Sequence, residues 1–161
     1  MALLTAIALG IFMLEAQIPS PVPVPGVKLG LANIITLAAM YLLGRKEAAG
    51  VLIVRIIMGA IFAGPSTFIY SLAGGMLAYL SMCIMTLFIP EDRVWLTSAI
   101  SAVFHNAGQL GACALIVKTP GVIYYAPVLA ASGIITGLFT GFAAMYLIKS
   151  LRKAGFDYSK K

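Results

Sequence analysis

Ile18-Pro19-Ser20-Pro21-Val22-Pro23-Val24-Pro25-Gly26-Val27-Lys28-Leu29-Gly30-Leu31-Ala32-Asn33 separates two strongly apolar stretches near the start of the chain. Prolines on alternate positions, Pro19, Pro21, Pro23 and Pro25, remove backbone donors and hold an extended path that no helix can continue. Gly26 then frees the chain to turn, Lys28 brings a charge, and Asn33 lies inside the apolar segment that follows. A rigid connector whose exit bears one cation and one amide reads as the lid and rim of a site, set between two apolar helices.

Those flanking helices set the class. Of 161 residues, 61% are hydrophobic and 10% charged, and the mean hydropathy is +1.03. A soluble domain of this size cannot hide so much apolar surface, because a small globule exposes a large share of its atoms. The expected fold class is an all-α integral membrane protein. The first segment has neither a basic leader nor a small-residue cleavage signal and is expected to be a retained helix. Cys83 and Cys113 fall inside apolar stretches, where a thiol behaves as a small hydrophobe.

Segments of about 17 to 23 apolar residues can cross the hydrocarbon core. Six are expected: 2–18, 27–43, 47–63, 67–89, 95–117 and 127–149, each followed by a glycine- or proline-bearing connector or the tail. They form a single six-helix transmembrane domain over residues 1–149, with a short basic tail at 150–161. The basic residues then sort by side. Arg45, Lys46, Arg93, Lys149, Arg152, Lys153, Lys160 and Lys161 fall on one face, against Lys28 and Lys118 on the other. The positive-inside rule makes both termini cytoplasmic and turns the proline run outward. The net charge of +6 is explained by this placement without a nucleic-acid partner.

An ionisable residue within a span is costly and is buried against protein, against water, or at a functional site. Glu15, Arg55 and His105 are three such residues, and Asn33, Asn106 and Gln109 add neutral polar groups at middle to outer depth. Ser98, Ser101, His105 and Gln109 recur at three or four residues on one helical stripe, which suits a pocket floor or, alternatively, hydrogen bonds that fasten helices together. Glu15 and Arg55 read either as a structural ion pair or as ligand contacts, and Lys28 either as an interfacial anchor or as an anion-binding rim. Stripes of small residues at Ala2, Ala6 and Gly10, and at Gly133, Gly137 and Gly141, permit close helix approach, within the chain or to another subunit. No phosphate-binding Gly-x-x-x-x-Gly-Lys-Ser/Thr loop, metal-ligand spacing or hydrolytic triad is present, so neither a catalytic centre, a metal nor a cofactor is expected.

Pro25–Asn33, Ser-Leu-Ala-Gly-Gly at Ser71–Gly75 and His-Asn-Ala-Gly-Gln at His105–Gln109 resemble the membrane family of heptaprenyl diphosphate synthase component I, also called the Gx transporter family. That family is similar to the S components of energy-coupling factor (ECF) transporters. The resemblance implies an S-component-like six-helix bundle in a bacterial-type cytoplasmic membrane, binding a vitamin-sized organic solute near the outer side. It also implies partners: a transmembrane scaffold subunit with two ATPases, docked on the small-residue pattern of the first helix, here Ala2, Ala6 and Gly10. Lys28, Asn33, Arg55, His105, Asn106, Gln109 and Glu15 are the expected solute contacts, and no enzymatic activity is implied. The synthase name fits poorly with the chemistry, because prenyl elongation needs magnesium on aspartate-rich motifs and the chain has only Asp92 and Asp157. Two other functions stay open: a non-catalytic subunit accessory to prenyl or quinone synthesis, and a carrier coupled to protons through Glu15 or His105.

Overall fold

Glycine and proline punctuate the apolar sequence where the helices break. The computed structural model describes residues 2–18 and 30–156. Among the described residues six α-helices follow one another: α1 (Ala2–Glu15), α2 (Asn33–Leu42), α3 (Arg45–Ala63), α4 (Pro65–Phe88), α5 (Val94–Val117) and α6 (Ala126–Lys153). Short 3-10 turns at Glu91–Arg93 and Pro120–Tyr125 introduce α5 and α6. Among the described residues there is no strand. Gly64 at φ +91° ends α3, and Pro65 opens α4, a position where its missing N–H costs nothing.

Three stretches, 67–88, 91–117 and 121–153, are long and apolar enough to cross a membrane. Their outward faces are apolar too: Leu80, Ile84 and Leu87 on α4 and Ile135, Phe139 and Tyr146 on α6 are exposed. Helices apolar on all sides belong in lipid, and the protein is an all-α membrane protein.

The expected second span over 27–43 is corrected at its start: among the described residues helix begins only at Asn33, because Gly30 turns the chain with φ +76°. Residues 27–29 of that expected span lie outside the described residues. The resulting α2 has 10 residues, about 15 Å of helix, half the hydrocarbon thickness. Eight of those 10 residues are buried, so α2 faces protein on nearly every side. The proline run Pro19–Pro25 and its proposed lid, Lys28, and the last tail residues 157–161 also lie outside the described residues.

The core gathers Leu4 and Ala8 of α1, Ala48 and Val51 of α3, Val94 of α5 and Ala144 and Ile148 of α6 around α2. The start of α1 and the end of α6 therefore lie at one end of the bundle. At that end Arg152 pairs with Glu91. The glycine stripe of α6 is internal packing: a Cβ at Gly137 or Gly141 would come within 2.6 Å of Ala99 Cα or 2.5 Å of Trp95 Cα. Such contact is possible only without side chains, and it seals α5 against α6.

Candidate functional site

Five helices deliver polar side chains to one buried place at the other end of the core. Glu15 comes from the last turn of α1, Arg55 from the middle of α3, Ser71 from α4, and His105 and Gln109 from α5. Each of these is at most 7% exposed. Phe12, Gly30 and Ala32 complete the described wall. Asn33, the first residue of α2, joins them through Arg55, whose Nη1 and Nη2 both donate to Asn33 Oδ1 at 3.2 Å.

The geometry answers how a bilayer-depth arginine is tolerated. Its guanidinium is held by a neutral amide and feels the Glu15 carboxylate as a nearby charge. Glu15 Oε1 itself accepts the backbone N–H of Gly30. Thus two buried side chains, one from α1 and one from α3, tie down residues 30 and 33 on the described side of the proline connector.

His105 sits between two glycines. A Cβ at Gly74 would lie 3.0 Å from His105 Cε1 and 2.8 Å from Gln109 Cγ, and one at Gly30 would lie 3.2 Å from His105 Cδ2. The ring is therefore closely flanked by glycine backbone, with Gly74 at its Cε1–Nδ1 edge and Gly30 at its Cδ2–Nε2 edge. Its Nδ1 is buried and faces the Gly74 backbone.

The space enclosed is about 10 Å³, room for roughly one water. The polar groups presently fill the site by packing against one another. With a cation, an anion, an imidazole, an amide and a hydroxyl in reach, the site can bind a small polar molecule through several directed hydrogen bonds. Among the described residues no three metal-ligating side chains gather.

Several expected residues sit elsewhere. Asn106 is turned away from the cavity and donates from Nδ2 to the Leu129 carbonyl at 2.8 Å, fastening α5 to α6. The expected polar stripe splits likewise: Ser101 meets Ser81 at 2.7 Å and Ser98 meets Thr140 at 3.0 Å, leaving His105 and Gln109 at the cavity. On α1, Ala2, Ala6 and Gly10 are exposed together, on the face opposite Leu4, Ala8 and Phe12. Sequence reasoning missed Ser71 and Phe12. Ser71 had a signal, since it lies three residues before Gly74 and so shares its helical face.

No curated protein and no solved structure matches the chain. The profile of one family matches residues 4–147, from the first turn of α1 to Leu147 in α6. By that match over most of its length, the chain belongs to the heptaprenyl diphosphate synthase component I family.

Proposed function

We propose that this protein is the solute-binding, S-component-like membrane subunit of an ATP-driven transporter for a vitamin-sized organic solute. The observation that supports this most is the convergence of Glu15, Arg55, Ser71, His105 and Gln109 from four helices on one buried cavity, with Asn33 of a fifth bonded to Arg55. Polar groups gathered this way in a membrane bundle are expensive as mere fasteners, and elsewhere in the chain single serine–serine and serine–threonine contacts do that work. On this reading the protein performs no chemistry of its own.

The solute enters by exchanging contacts. Because the cavity has room for about one water, a ligand must displace the Glu15–Gly30 and Arg55–Asn33 bonds and offer its own acceptor to the guanidinium and donor to the carboxylate. A zwitterion, or a ring with adjacent donor and acceptor atoms, answers both. All six helices cross or fill a bacterial-type cytoplasmic membrane with both termini inside, where Arg45, Lys46, Arg93, Lys149, Arg152 and Lys153 outnumber Lys118 on the opposite side. The exposed face of Ala2, Ala6 and Gly10 docks a scaffold subunit that carries the ATPases.

The family description favours a second reading, a membrane subunit accessory to heptaprenyl diphosphate synthesis. With two aspartates in the chain, such a subunit would leave catalysis to a partner. Mass spectrometry of small molecules released from the detergent-purified full chain separates the two. The transporter reading expects one small polar solute near equal stoichiometry. Copurification of a prenyl synthase with no such solute would replace it.

A further inference from the structure

Two bonds that close the polar cavity specify what can open it. Arg55 Nη1 and Nη2 both donate to a single oxygen, Asn33 Oδ1, at 3.2 Å, and Glu15 Oε1 accepts the backbone N–H of Gly30. Each bond joins a charged side chain to a neutral partner. Both neutral partners come from the short segment that leads into α2, and they are near neighbours: a Cβ at Gly30 would lie 3.1 Å from Asn33 Nδ2. One small molecule can therefore replace both at once.

That exchange discriminates between classes of solute. A neutral solute, such as a lactam ring, would offer Arg55 a carbonyl in place of a carbonyl and Glu15 an N–H in place of an N–H, with nothing gained at either end. A carboxylate in the place of Asn33 Oδ1 would instead give the guanidinium fork two anionic oxygens, a bidentate pair stronger than its bond to an amide. An ammonium in the place of the Gly30 N–H would give Glu15 a cationic donor. Arg55 and Glu15 are each 4% exposed, so the fold has already desolvated them and only the solute's own charges must leave water. Net charge narrows the class further. The charged side chains in the described wall are this one guanidinium and this one carboxylate. A solute of net charge zero keeps their balance, whereas an anion or a cation would leave one charge in excess inside the bundle. The solute's nitrogen must also carry a hydrogen to donate, which excludes quaternary amines.

We propose that the cavity is selective for a small zwitterion, an aminocarboxylate whose carboxylate takes the place of Asn33 Oδ1 at Arg55 and whose ammonium takes the place of the Gly30 N–H at Glu15. This rests on the reading of the cavity as a solute site. In the test, small molecules released from the detergent-purified full chain are treated in separate portions with an amine-acylating and a carboxylate-amidating reagent, then weighed by mass spectrometry. The stoichiometric solute is expected to take both labels. Titrated back into the unaltered protein, its N-acetyl derivative and its primary amide should each bind about tenfold or more weakly than the solute itself. Asn33→Asp, which sets a carboxylate of the chain beside Arg55, should weaken binding of the solute by about tenfold or more. A stoichiometric solute lacking either group, or derivatives that bind as tightly as the parent, would overturn the zwitterion assignment and leave solute binding standing. Release of no solute would overturn both. The derivatives are titrated into unaltered protein, so they decide the matter even where Asn33→Asp fails to fold.

Discussion

Asn33 Oδ1 accepts both terminal nitrogens of Arg55, and that neutral partner explains how a guanidinium is kept 4% exposed within an apolar bundle. Removing one member of a buried charge-assisted hydrogen bond leaves the other unsatisfied, at a cost of about 1.5–3 kcal/mol. Asn33→Leu is therefore expected to lower the unfolding temperature in detergent markedly, and Arg55→Met with Asn33→Leu to recover much of the loss; equal destabilisation in single and double variants would contradict the pairing. The ionisable residues of the site were legible in the sequence, because Glu15, Arg55 and His105 are conspicuous against apolar neighbours. Asn106 lies away from the cavity for a simple geometric reason. Successive residues on a helix point about 100° apart, so His105 facing α4 sends Asn106 toward α6. Ser71 stood in the quoted Ser71–Gly75 motif, but a lone serine in a span has many uses, so its place at the cavity was not read from it.

At the scale of helices, two stripes of small residues with the same spacing have opposite fates. Gly137 touches α5 backbone, whereas Gly10 has open space where its Cβ would be. Gly137→Val should overpack the α5–α6 seam and cost about 1–3 kcal/mol. Gly10→Ala should leave stability unchanged or raise it by up to about 1 kcal/mol, since alanine is the better helix former. Thermal unfolding of the two variants side by side checks this, and equal destabilisation would mean that α1 also packs inward at Gly10. Ala6→Trp tests what covers α1: copurification with a scaffold subunit should be lost while the folded protein and its solute are kept. Helix ends were mostly readable, for example Ala63 before Gly64-Pro65 and Val117 before the Thr119-Pro120 break. The start of α2 was not, because a positive φ at Gly30 leaves no trace in hydrophobicity.

For the molecule as a whole, the alternation of helices brings the start of α1 and the end of α6 into one core cluster, and basic residues crowd that end. With Cys83 and Cys113 replaced, Ser150→Cys should react with impermeant maleimide only from the cytoplasmic side and Thr119→Cys only from the outside. Reaction of both from one side would overturn the topology. The apolar composition made the membrane class legible from the start, whereas the assembly of the cavity was not, since it depends on how α1, α3, α4 and α5 rotate about the start of α2. The central claim is that this cavity binds a solute through Arg55. Equilibrium titration of the solute recovered from the purified protein, into wild type and Arg55→Met, tests it most directly. A charge-assisted hydrogen bond contributes about 1.5–3 kcal/mol, so the account predicts a loss of affinity of about tenfold or more. A folded Arg55→Met protein that binds the solute as tightly as wild type would contradict it.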